Sequence, residues 1–138
     1  MSKFKFPKRY DTVVADAGVW FDIYDEVGGH YGEFKVRFAD NSNAKFQLIS
    51  TRLAKKFEVQ RRTKVMSDED FYSQVFIEYA LIDWKITGED GEAIPFSVED
   101  ARDYFENPEA KFVLNQLISQ GLNVENYQPL SPEASAKK

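Results

Sequence analysis

Residues 67–86 read SDEDFYSQVFIEYALIDWKI. Phe71, Val75, Tyr79, Ile82 and Ile86 recur at spacings of three and four and form one apolar stripe. Phe76, Ala80 and Trp84 form a second stripe beside it. That spacing predicts one long helix, the most buried in the protein. Ser67, with Asp70 three residues on, resembles a capping box in which Asp replaces the usual Glu. Asp68, Glu69 and Asp70 suit the positive end of a helix dipole. Being consecutive, they splay around the helix, so they read as capping charge rather than metal ligands. The helix carries more large apolar groups than one partner helix can cover. It either sits centrally or forms an oligomer surface.

Upstream, Val19, Phe21 and Ile23 alternate with Trp20, Asp22 and Tyr24, and Phe34, Val36 and Phe38 alternate with Glu33, Lys35 and Arg37. Period two with a polar opposite face predicts two half-buried strands joined by an irregular loop over residues 25–31. Gly28-Gly29 lies in that loop and lacks the rest of any phosphate-binding pattern. A lone hairpin is marginal in water, so its apolar face must pack on helices or another chain. Asn41, Ser42 and Asn43 then offer cap oxygens to a helix whose apolar stripe is Phe46, Ile49, Leu53 and Phe57. Lys45, Arg52, Lys55 and Lys56 fall mostly off that stripe, and the helix extends to Arg61 or Lys64.

Downstream, Gly88 stops the long helix and Asp90-Gly91 makes a tight turn. The ligand register of a calcium loop is missing there. Ala93, Ile94 and Phe96 form an extended piece interrupted by Pro95. Ser97 and Asp100 cap a short helix carrying Val98, Ala101 and Phe105. Asn107-Pro108 starts another, with Ala110, Phe112, Val113, Leu117 and Ile118 on its apolar face and Gly121 at its close. Pro129, Pro132 and the small or polar residues around them predict a disordered tail. The expected fold is α+β and mainly helical. An N-terminal β-hairpin packs on a bundle of about four helices. Residues 1–15 form an arm, 16–122 a single domain and 123–138 a flexible tail.

Charge is segregated. Residues 52–65 carry a net +5 and residues 66–110 a net −11, while the whole chain of 138 residues carries −5. Either the two blocks meet within the monomer, or they meet between subunits, where complementary charge gives register and faster encounter. The arm interleaves Lys3, Lys5, Lys8 and Arg9 with Phe4, Phe6 and Tyr10. Such a mixture touches phosphate and stacks bases, but Asp11 and Asp16 follow closely. An arm that docks on its own domain or on a neighbour fits better. The −11 block would repel a nucleic-acid backbone.

The function classes narrow further. With no Cys and one His, thiolate chemistry, disulfides, Cys-bound zinc and the usual triads are excluded. No apolar run approaches a membrane span of about 20 residues, and no signal-peptide core opens the chain. A one-domain, soluble, intracellular protein is expected. His30 sits beside the Gly-rich turn as an exposed loop residue. Asp83, next to Trp84, is the best isolated acid/base candidate, and a helix-surface role explains it equally well. No nucleotide or metalloprotease motif occurs. The expectation is a non-enzyme without cofactor or metal.

One segment carries a resemblance. Ala80-Leu81-Ile82-Asp83-Trp84-Lys85 runs into Ile86-Thr87-Gly88-Glu89-Asp90-Gly91-Glu92-Ala93-Ile94-Pro95-Phe96-Ser97, then Glu99-Asp100 and Phe105. This resembles the tail assembly chaperones, or closely allied tail accessory proteins, of long-tailed bacteriophages. Their pattern is a helix ending in a Trp-containing turn, a D-G-E-x-I/V-P-F-S stretch, a short helix and a final helix. The match covers residues 76–118. The strand pair, then residues 37–43 and the helix beginning at Lys45-Phe46, fit loosely upstream. The resemblance implies a protein that binds the long helical tape measure protein before the tail tube polymerises around it. It also implies displacement by tube subunits, residence in the host cytoplasm and absence from the mature virion. Many family members exist as a short and a frameshifted longer form, and the longer one contacts the tail tube protein. The resemblance implies that this chain corresponds to the short form.

A chaperone surface should be apolar and rimmed by charge. Phe71, Phe76, Tyr79, Ile82 and Trp84 are the apolar candidates. Arg52, Lys55, Lys56, Arg61 and Arg62 are the rim or subunit-pairing candidates in an expected homo-oligomer. For each aromatic the competing reading is ordinary core. The alternative function is a structural tail or head–tail connector subunit retained in the virion. A small nucleic-acid-binding accessory protein is a third reading.

Overall fold

The hairpin is where the alternation places it. In the structure, a computed structural model that describes residues 3–40 and 42–129, β1 (Val19–Tyr24) and β2 (His30–Val36) pair antiparallel, with Phe21 opposite Phe34 and Val19 opposite Val36. Asp25 builds the loop between them. Its Oδ1 accepts from the amides of Val27 and Gly29 at 3.0 and 2.7 Å, and its Oδ2 accepts from the Tyr31 hydroxyl at 3.1 Å. Those donors, Gly29 first, hold its carboxyl below the usual range against the opposing pull of desolvation.

The remaining order is α1 (Thr12–Ala17) before β1, then α2 (Ala44–Lys56), α3 (Glu58–Arg62), α4 (Asp68–Tyr79), β3 (Leu81–Lys85), α5 (Val98–Glu106) and α6 (Lys111–Leu122). Single 3₁₀ turns lie at Pro108–Ala110 and Val124–Tyr127. The fold is α+β and mostly helical, with a three-stranded antiparallel sheet in the order β1-β2-β3.

The long helix over 67–86 does not form. It ends at Tyr79, and the chain turns at Ala80 into β3, which adds to the free edge of β2. The Arg37 amide donates to the Ala80 carbonyl at 2.8 Å, and Phe34 faces Trp84 across the ladder. The physical reason is the edge of β2. Its N–H and C=O groups need partners where they are covered, and an Ile- and Trp-containing segment suits a half-buried pleat. A register shift between Lys35 and Val36 lets both Leu81 and Trp84 reach the core. Asp83 therefore lies on a strand, exposed, with Oδ1 accepting from the Trp84 amide at 2.8 Å. A sheet of three strands also removes the marginality of a lone hairpin.

Local signals elsewhere hold. Ser67 and Ser97 cap α4 and α5 through hydroxyls that accept from Asp70 and Asp100 at 3.0 Å. Asn43 caps α2 and is itself buried. Its Nδ2 donates to the Phe38 carbonyl at 2.9 Å and to the Tyr79 hydroxyl at 3.2 Å. Gly91, at φ 80°, makes the turn that brings Thr87 opposite Ala93. The helix begun at Ala44 breaks at Phe57 and restarts as α3, ending at Arg62. Asn107 makes no side-chain cap bond, because Pro108 opens a 3₁₀ turn before α6. Gly121 does not close α6, which continues to Leu122. A β-carbon there would come within 3.1 Å of Phe76 and Val36, so this glycine admits close packing of α6 on the sheet.

The main core lies between one face of the sheet and α2, α4, α5 and α6, centred on Phe34, Val36, Phe76, Leu81, Val113 and Leu117. A second cluster joins the two ends of the chain: Ala15, Phe38 and Tyr127, packed by Tyr10 and Val124. The Tyr127 hydroxyl donates to the Val36 carbonyl at 2.9 Å, and the Asp11 amide donates to the Tyr127 carbonyl at 2.8 Å. The packed body therefore runs from Tyr10 to Gln128, beyond the 16–122 expected. Of the predicted tail, 123–128 is placed against the body, and residues 130–138 lie outside the described residues. Of the predicted arm, residues 3–9 are exposed and have no regular secondary structure, with the Phe4 and Phe6 rings 6.4 Å apart, Lys3 5.4 Å over the Phe4 ring and Arg9 as the anchor. Arg9 reaches Asp40 and Ser42 at 3.1 Å, and the Gln128 amide donates to its carbonyl at 2.6 Å.

Candidate protein-binding surface

The residues of the D-G-E-x-I-P-F-S stretch form a cover over Trp84. The indole N–H donates to the Ile94 carbonyl at 2.8 Å, and Phe96 stands edge-on to the indole at 5.3 Å between ring centres. Tyr104 from α5 closes the other side at 5.7 Å. The Ile94 amide returns to the Ile86 carbonyl at 3.1 Å. Every polar atom in this list is used to hold the loop. The stretch is structural where it touches Trp84.

That packing corrects the apolar candidates. Phe71, Phe76, Tyr79 and Trp84 are all buried in the main core. A partner reaches none of them without unfolding α4 or β3. Ile82 lies in β3, half-buried, with its Cδ1 where a β-carbon on Gly18 would stand 2.9 Å away. The stripe over 71–86 is core, because the sheet and four helices together supply the partners that one helix could not.

The basic candidates divide. Arg52 on α2 and Arg102 on α5 both hold Glu78 of α4, each at 2.7 Å to a different carboxylate oxygen. The Arg61 guanidinium lies 4.0 Å from the centre of the Phe71 ring and 3.5 Å from Asp68. Arg52–Glu78 and Arg61–Asp68 join the basic block to the acidic one inside one chain, and Arg102–Glu78 is a pair within the acidic block. Lys55, Lys56 and Arg62 are exposed and have no ion pair among the described residues. Lys56 leans over the Phe57 ring at 5.5 Å.

Between these cations lie apolar residues that periodicity passes over. Leu48 is 70% exposed and Val59 58% exposed. Leu48, Arg52 and Lys55 are exposed along α2, opposite the buried Phe46 and Leu53, and Val59 is exposed on α3. The signal was present: Leu48 falls off the Phe46–Ile49–Leu53 stripe, between charged positions. The two helices thus expose apolar side chains and cations on their outer surface. Such a surface suits an apolar helical partner bearing acidic groups.

The remaining polar candidates are local. His30 Nε2 meets Asp22 Oδ1 at 3.0 Å, and its ring stacks on Tyr24 at 4.6 Å on the exposed hairpin end. Among the described residues no group of three or more His, Cys, Asp or Glu side chains is placed to hold a metal ion. No described helix is long and apolar enough to cross a membrane. No protein-family model, no curated protein and no solved structure matches the chain.

Proposed function

We propose that the protein is a tail assembly chaperone of a long-tailed bacteriophage, which binds the tape measure protein in the host cytoplasm before the tail tube polymerises. The observation that supports this reading is the α2–α3 surface. Leu48 on α2 and Val59 on α3 are exposed, and the same two helices carry Lys55, Lys56 and Arg62, which have no ion pair among the described residues. A surface of that kind holds an amphipathic helical client by apolar contact, while its positive rim opposes self-aggregation. The resemblance over 76–118 supplies the client's identity. The apolar contacts move from the 71–86 stripe to α2–α3, and Arg52 keeps a part in the rim from its bond to Glu78.

The experiment is affinity capture of the tagged protein from cells producing the phage, paired with mass spectrometry of purified particles. The chaperone reading predicts recovery of a very long helical protein and absence of this chain from the particles. Presence in the particles, together with capture of tube or connector proteins alone, contradicts it and favours a structural subunit.

A further inference from the structure

A groove of about 590 Å³ lies between α4, α5 and α6, with Gln60 of α3 at its margin, within the range of clefts that hold ligands. Met66, Ile77, Phe105 and Leu114 line it, and Val65 stands exposed at its edge. Glu69, Asp70 and Glu106 also line it, and no ion pair holds their carboxylates among the described residues. The groove is thus apolar within and mainly acidic at its rim, with Lys111 the opposing charge and Arg102 already engaged by Glu78.

The same chain carries the complement. Residues 3–9 read KFKFPKR, with four cations and two aromatics and no acid. Phe4 is 65% and Phe6 75% exposed, and the segment has no regular secondary structure. The two rings lie 6.4 Å apart and Lys3 stands 5.4 Å over Phe4, and the apolar area they still expose is the kind that marks an interaction site.

We propose that residues 3–8 of one copy lie in the α4–α5–α6 groove of a second copy, with Phe4 and Phe6 on the apolar lining and the lysines against Glu69, Asp70 and Glu106. The owner's own groove is a poor target. The arm leaves the body at Arg9, beside Gln128, past the C-terminal end of α6, whereas the groove reaches α6 at Lys111 and Leu114, near its N-terminal end. Leu114 lies eight residues before the C-terminal end of α6, about 12 Å along the axis, whereas Phe6, three residues from Arg9, reaches only about 10 Å fully extended, before any turn around the body. Arm and groove are different surfaces. Unless two copies exchange arms reciprocally, the contact therefore repeats from copy to copy as a ring or open chain. This inference does not depend on the identity of the client.

Sedimentation velocity of the full chain over a concentration series tests it, beside Phe4→Ser/Phe6→Ser and Glu69→Lys/Glu106→Lys. The full chain is expected to assemble reversibly, less so as salt rises. Each double variant should raise the half-assembly concentration at least about tenfold, which is about 1.4 kcal/mol, with the far-UV circular dichroism unchanged. The absence of native cysteine gives the second measurement. Under mild oxidation, a mixture of Lys5→Cys and Glu106→Cys single variants should form a disulfide-linked heterodimer. A monomer at every concentration, assembly indifferent to the arm variants, or a disulfide that forms only within a Lys5→Cys/Glu106→Cys double variant would overturn the proposal.

Discussion

The segment from α4 through β3 and the segment from α2 through α3 use apolar residues in opposite ways. The first is crowded with aromatics, and its Phe71, Phe76, Tyr79 and Trp84 are all buried. The second is poorer in apolar residues and richer in cations, yet it leaves Leu48 and Val59 in solvent. Apolar density along a chain therefore marks what folding takes up. What remains for a partner is marked by apolar residues that fall off the helical stripe and sit among charges without partners. In this protein the richest stretch is the least available, and the charged one is the candidate surface.

The largest effect that sharpens this contrast is Phe76→Ala. The side chain is fully buried between α4, β2 and α6, so its loss should cost about 3–5 kcal/mol in urea unfolding. Client affinity measured on the folded fraction should be kept. A stable Phe76→Ala protein that no longer binds client would reverse the roles of the two segments.

Tyr127→Phe comes next. It leaves the Val36 carbonyl without its donor in a buried site and should cost about 1–3 kcal/mol. The buried tyrosines have a second signature, at high pH. Burial pushes the phenols of Tyr72 and Tyr127 up, Tyr72 to about 12. A phenol unfolds to an ordinary value of about 10, so the folded state holds its proton more tightly. The stabilisation is complete below about pH 10 and is lost as pH climbs toward 12. Tyr72→Phe should flatten that alkaline loss in a thermal-melt series, and an unchanged slope would show that Tyr72 ionises freely in the fold.

Smaller still is the difference between two neighbouring arginines. Arg61 covers the Phe71 ring, so Arg61→Glu should lose about 1–2 kcal/mol. Arg62 is exposed without an ion pair among the described residues, so Arg62→Glu should stay within about 0.5 kcal/mol and act on client binding alone. Equal melting temperatures for the two variants would remove Arg61 from the core's edge and restore it to the rim.

What was legible in the sequence was local. The hairpin, the caps at Asn43, Ser67 and Ser97 and the turn at Asp90-Gly91 each depend on residues a few positions apart, and each stands as read. What was not legible depends on distant partners. Residues 81–85 satisfy a helical and a strand pattern equally well over so short a run, and only the open edge of β2 decides between them. The body's true ends were hidden for the same reason: Tyr127 is held by Val36, 91 positions away. Of the surface, Lys55 and Lys56 were legible as off-stripe charge and Arg62 as a rim candidate. The packing of Arg61 was not, because its neighbour Phe71 comes from the next helix. The aromatics were misplaced because one apparent helix was given no sheet to pack on.

The decisive measurement is the affinity of a tape measure protein segment for the chain and for its Leu48→Asp/Val59→Asp variant, by titration calorimetry. A binding surface on α2–α3 predicts at least about a tenfold loss of affinity, with a melting temperature close to that of the parent. Unchanged affinity in a folded variant would contradict it and move the client to another face of the molecule.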